Sequence, residues 1–201
     1  MMKTTKKLIA VPFLAALLLS SCGKADINVS EVIGTDRMKV DYYKASYVID
    51  ETDLTQVTTY ASYVFIADVV SYDRTEYLNG DGESPMTFYT IRVRENIKGS
   101  LVTDKDIELK KAGGLLKGKD SFSLCEGDVL PQPGKTYLFA PVIFADDLYC
   151  PMPNMVAELD PDASAWAESE TVKQYKEALT KEAENVQNGN LNRSKYDTGV
   201  V

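Results

Sequence analysis

The 201-residue chain contains no histidine. This removes the Ser-His-Asp and Cys-His arrangements that activate a nucleophile, along with the commonest general base near neutral pH. What remains for acid–base work is a Ser–Lys pair or two carboxylates. Asp and Glu together number 30, but no spacing singles out a pair, and a solvated acidic face accounts for them. Two short motifs invite a ligand and fail on spacing. In Asn79-Gly80-Asp81-Gly82-Glu83, placing Asn79 and Asp81 third and fifth in a calcium loop puts Tyr77 first and Phe88 last, where acids are required. Gly134-Lys135-Thr136 ends like a phosphate loop, but Val129 stands where the first glycine belongs. It also leads toward a strand, which offers no helix amides to a phosphate. Both motifs read as turns, and neither a metal nor a cofactor is expected. Tyr42, Tyr43 and Tyr47 form a candidate binding patch, with simple coverage of a sheet as the alternative.

The start of the chain says where this chemistry would be displayed. Lys3, Lys6 and Lys7 precede an apolar run from Leu8 to Leu19, 12 residues long. That is too short to span a bilayer well and right for the hydrophobic region of an export signal over residues 1–21. The run ends in Leu19-Ser20-Ser21-Cys22-Gly23, which resembles the lipobox of bacterial lipoproteins. The resemblance implies cleavage after Ser21, lipidation of Cys22 and an extracytoplasmic location at the bacterial cell envelope. An ordinary signal peptide with an incidental cysteine is the alternative. Loss of three lysines and no acid would take the formal net charge from −8 to −11. That balance argues against nucleic acid and against a polybasic membrane contact. The membrane partner would be reached through the lipid, since no later segment is apolar enough to cross.

With Cys22 acylated, Cys125 and Cys150 are left in an exported domain. Two such cysteines favour a disulfide, which would stabilise by roughly 3 kcal/mol on loop-closure grounds. Two buried free thiols are the alternative. Without histidine, two thiols are half a structural zinc set.

The elements that must position these groups are mostly strands. Residues 87–99 alternate over the longest run: Tyr89, Ile91, Val93 and Ile97 fall on one side, and Phe88, Thr90, Arg92, Arg94 and Lys98 on the other. That period of two marks a strand with one buried face. Further strands are expected over 63–72, 102–112, 136–144 and, broken by Pro151 and Pro153, 148–159. Thr52 or Asp53 can cap a short helix before them, and Ser164 a long one from about 165 to 186. The expected division is lipid anchor and tether over 22–50, a barrel domain over 51–160, a C-terminal helix over 161–188 and a disordered tail over 189–201. The fold class is mainly β: a five-stranded OB-like β-barrel with a short N-terminal helix and a long C-terminal helix.

One order of features is more particular. Ala67-Asp-Val-Val70 is followed by Tyr89-Thr-Ile-Arg-Val-Arg-Glu-Asn-Ile-Lys-Gly99, then Cys125-Glu-Gly-Asp128, Pro133-Gly-Lys-Thr-Tyr-Leu-Phe139 and Cys150. Over about residues 61–160 this resembles netrin-like and tissue-inhibitor-of-metalloproteinase-like domains. The resemblance implies a binding barrel. It does not carry the inhibitors' zinc chelation by a free N-terminal cysteine, because Cys22 would be acylated. The expected function is a lipid-anchored binding or interaction module with an envelope or secreted protein as partner. The alternatives are a carboxylate or Ser–Lys enzyme, or a purely structural envelope lipoprotein.

Overall fold

The computed structural model describes residues 28–78, 80, 82–160, 162–166, 168–181 and 193–199. The export signal and Cys22 lie outside the described residues, as do Asn79 and Asp81. The chain runs α1 (Val29–Val32), β1 (Val40–Tyr43), α2 (Leu54–Tyr60), β2 (Val64–Tyr77), β3 (Pro85–Lys98), β4 (Asp106–Ala112) and β5 (Gly114–Leu115). It continues through β6 (Phe122–Cys125), β7 (Thr136–Phe139), β8 (Val142–Phe144), β9 (Asp147–Cys150), β10 (Val156–Leu159), α3 (Ala163–Trp166) and α4 (Glu170–Ala178).

The protein is mainly β. Seven strands form a curled sheet, half of a barrel, in the order β10-β7-β2-β3-β4-β9-β8, and three more form a small sheet in the order β1-β6-β5. The alternating stretch is the centre of the larger sheet: β3 pairs antiparallel with β2 on one side and β4 on the other. Tyr89, Ile91 and Val93 on β3 and Ile107 and Leu109 on β4 are buried, while Arg92, Arg94 and Glu108 face outward into ion pairs. Four register shifts interrupt the β2–β3 ladder. Each bulge adds local twist, and together they bend a hairpin of two 14-residue strands out of a flat sheet. Asp53 caps α2 by accepting the Thr55 N–H at 2.8 Å. Lys98 closes the same helix by donating to the Thr58 and Ala61 carbonyls at 2.8 and 2.5 Å.

The structure differs from the sequence expectations in several places. Ten strands stand in two sheets where five were expected. The 113–127 stretch read as loop holds β5 and β6, which are too short to show a period of two. The strand over 136–144 breaks at Pro141, whose carbonyl instead accepts from the Ser62 and Tyr63 amides. The segment read as tether is partly domain: Ile33 is fully buried and β1 pairs with β6. The long C-terminal helix is two short ones, because extended backbone at Ser169 separates α3 from α4. The expected helix end at about 186 lies outside the described residues.

Residues 193–199, expected within a disordered tail, are tied down. The Val102 amide donates to the Tyr196 carbonyl at 3.1 Å and the Thr198 amide to the Ser100 carbonyl at 2.8 Å. Among the described residues no helix is long and apolar enough to cross a membrane.

Candidate functional site

The site begins with β1. Strand alternation sends Tyr42 and Tyr43 to opposite faces. Tyr43 turns toward a cleft of about 430 Å³, which Tyr47 reaches from the chain beyond the strand. Tyr149 enters from β9, a strand more than a hundred residues later in sequence. The walls between these rings are Leu78 and Glu83 to Pro85 at the β2–β3 turn, Ala112 and Gly113 after β4, and Pro151 after β9. Phe144 extends the aromatic surface, its ring 5.8 Å from that of Tyr149 and half exposed. A second cavity of about 630 Å³ along residues 99–105 has no aromatic lining. It lacks the stacking surface that makes the first a binding site.

Of the three tyrosines singled out in the sequence, the structure brings two to the cleft. Tyr42 is 61% exposed on the other face of β1. Tyr149 was missed, because its ring belongs to the site through register rather than through any local motif: β9 pairs parallel with β4, setting Cys150 beside Lys111 and Tyr149 beside Lys110.

All three phenols in the cleft are pushed upward. Burial raises Tyr43, with the neighbouring Cys125 and Asp128 adding to it. Burial raises Tyr47 further, helped by contact of its hydroxyl with the Cys125 sulfur. Burial holds Tyr149 up at about 12, with smaller contributions from Tyr43, Cys150 and Asp128. At neutral pH these are protonated aromatic donors, suited to stacking and hydrogen bonding rather than to proton abstraction.

Behind the cleft lies a buried ion pair. Lys111 on β4 and Asp128 after β6 pair with side chains 0% and 3% exposed. Asp128 also accepts the Val129 amide at 2.8 Å. The opposite charges cancel, so the floor of the region is held polar without net charge. The sequence contains Lys111 within an alternating strand, on the inward side with Ile107 and Leu109. That misplaced charge was the only signal for this pair.

The expected disulfide is not what the structure holds: Cys125 and Cys150 are separate buried thiols. The reason is their placement. Cys125 ends a strand of the small sheet beside Tyr47, and Cys150 lies in the large sheet with its thiol directed to the Met155 carbonyl at 3.8 Å. Burial pushes the Cys150 thiol up to about 12, against the opposing effect of Lys111. It is a packing residue, not a nucleophile.

Among the described residues, no three His, Cys, Asp or Glu side chains converge to hold a metal. Thr136 of the Gly134-Lys135-Thr136 motif opens strand β7, and Lys135 pairs with Glu158 at 2.8 Å. No family model and no curated protein matches the chain.

Proposed function

We propose that this protein is a lipid-anchored, extracytoplasmic binding module at the bacterial cell envelope, and that its contact site is the tyrosine cleft. The convergence of Tyr43, Tyr47 and Tyr149 from three separate segments on one open cleft carries this reading. Aromatic side chains give large contact area at low entropic cost and are enriched where proteins recognise partners. The anchor is read from Leu19-Ser20-Ser21-Cys22, and the curled sheet is read as an OB-like barrel akin to netrin-like domains. In such a fold an envelope or secreted protein is the partner, and the lipid on Cys22 is the membrane contact.

The test uses the full-length protein. Radiolabelled fatty acid should enter the wild type and not Cys22→Ser. Wild-type protein immobilised in detergent should retain a stoichiometric partner from the producing organism's envelope and secreted fractions. Tyr43→Ala and Tyr149→Ala should each weaken that retention at least about tenfold. Equal labelling of Cys22→Ser would end the anchor reading, and undiminished retention by both cleft variants would end the assignment of the site.

A further inference from the structure

The cleft does not stand alone, because β1 is an edge strand. In the small sheet its one strand neighbour among the described residues is β6. Each strand residue aims its N–H and C=O to the same side, and successive residues alternate. The Phe122 amide donates to the Lys39 carbonyl at 2.8 Å and the Glu126 amide to the Tyr43 carbonyl at 2.9 Å. Odd-numbered peptide groups therefore face β6, and those of Val40, Tyr42 and Lys44 face away from it. From Asp41 to Ser46 every residue is exposed. An open strand edge is a template for another extended chain.

We infer that β1 and the cleft together take one extended peptide segment of a partner protein, which adds as a strand along β1 and places a lysine or arginine side chain among Tyr43, Tyr47 and Tyr149. This rests on the reading of the cleft as a binding site and goes further, to the mode of binding and the chemistry of the ligand. Three observations carry it. The edge leads directly into the cleft, since Tyr43 ends β1 and also lines the cavity. A segment lying along β1 thus crosses the cleft mouth, with every second side chain on the Tyr43 face. Main-chain bonds along an edge give affinity and a side-chain pocket gives specificity.

The charge is also of one sign. Glu83 is the only acidic or basic residue in the lining, which contains no Lys or Arg. The two lysines flanking β1 are already held, Lys39 by Asp120 and Lys44 by Glu126 at 3.6 Å. The chain as a whole carries −8. Finally, the faces of aromatic rings attract cations, and a cage of rings with one carboxylate is matched to an ammonium or guanidinium group. An acidic side chain would meet like charge there.

The experiment measures anisotropy of fluorescent peptides on full-length protein in detergent micelles. The probes are alternating Thr/Val peptides of about seven residues, with a central Lys, Arg, Gln or Glu. A further version of the Lys peptide is N-methylated at alternate amides. The Lys and Arg peptides should bind. The Gln and Glu peptides should bind at least about tenfold more weakly, and the N-methylated peptide should not bind. Tyr42→Pro removes an outward-facing N–H while leaving the β6 ladder intact. It should weaken the Lys peptide at least about tenfold, whereas Tyr42→Ala should not. Circular dichroism of both variants should match wild type.

Equal binding of the Gln and Lys peptides would overturn the cation assignment. Undiminished binding by Tyr42→Pro would overturn strand addition. Dimerisation abolished by Tyr42→Pro, with no peptide bound, would make a second copy the occupant and overturn the proposal. Partner retention lost in Tyr43→Ala but kept in Tyr42→Pro would leave the binding module standing and remove this inference alone. Retention unchanged in both would remove the two together.

Discussion

Tyr63 and Tyr43 show two ways of finishing the surface of this molecule. Tyr63 is 3% exposed, and its hydroxyl is fully used by its own chain: it donates to Asp197 at 2.6 Å and accepts the Ser194 amide at 3.0 Å. The 193–199 segment that provides these partners also sends Lys195 to Asp147 at 2.5 Å. Tyr43 is 41% exposed, beside a strand edge that no described segment covers. The residue type is the same, but the packing differs. Where the chain returns over its own tyrosine, the hydroxyl is satisfied and the surface is closed. Where it does not, rings and backbone groups are left facing outward, which is the physical condition for recognising another molecule.

The comparison can be broken most severely from behind the cleft. Lys111→Met should cost about 3–5 kcal/mol, because it strands a buried Asp128 carboxylate. Urea unfolding would show it as a large fall in midpoint, and the double variant Lys111→Met/Asp128→Leu should recover most of the loss. A single-variant cost below about 1 kcal/mol would mean that water reaches the pair. This region is polar at depth but neutral, so it supports the cleft without acting in it.

The next effect sharpens the contrast between satisfied and unsatisfied tyrosines. Tyr63→Phe should destabilise by about 1.5–3 kcal/mol, since its hydroxyl bonds a charged carboxylate. Tyr89→Phe should be neutral or slightly stabilising. Its hydroxyl is the one buried side-chain polar atom without a partner among the described residues, so removing it relieves a desolvated group. Thermal melts of the two variants side by side decide the matter, and equal losses would contradict the assigned hydrogen bonding.

The smallest effect is confined to the covered end and depends on pH. Burial raises Asp147, but hydrogen bonds from Lys110 and Lys195 outweigh it and hold the carboxyl below 3.8. Asp197 follows the same pattern, with burial opposed by the Tyr63 hydroxyl and the Gly199 amide. A folded value below the unfolded one contributes stability that is present above the unfolded pKa and lost as pH falls through the folded one. NMR signals of residues 195–198 should therefore stay in their docked positions at pH 6 and move toward unstructured values between about pH 4 and pH 2. The cleft tyrosines, all shifted upward, should not respond in that window. A simultaneous response of Tyr43 would show that the two regions are coupled.

Much of the fold was legible in the residues. The alternation of Tyr89, Ile91 and Val93 located the central strand, because a period of two is a local property of chain geometry. Asp53 marked a helix start for the same reason, since a cap acts across two or three residues. The short strands β5 and β6 carried no such signal, and Pro141 and Ser169 broke elements whose composition read as continuous.

The site was legible only in half. Tyr43 and Tyr47 stand close in sequence, and their clustering drew attention to them. Tyr149 joined them through the parallel pairing of β9 with β4, and Lys111 met Asp128 across two sheets. The sequence alone determined the β character of the chain, its central strand and the lipobox-like start, all of which depend on neighbours along the chain. Only the tertiary structure decided which tyrosines share a cleft, which cysteines stay apart and which edge is left open. Those outcomes depend on register and return paths between distant segments, which no local pattern encodes.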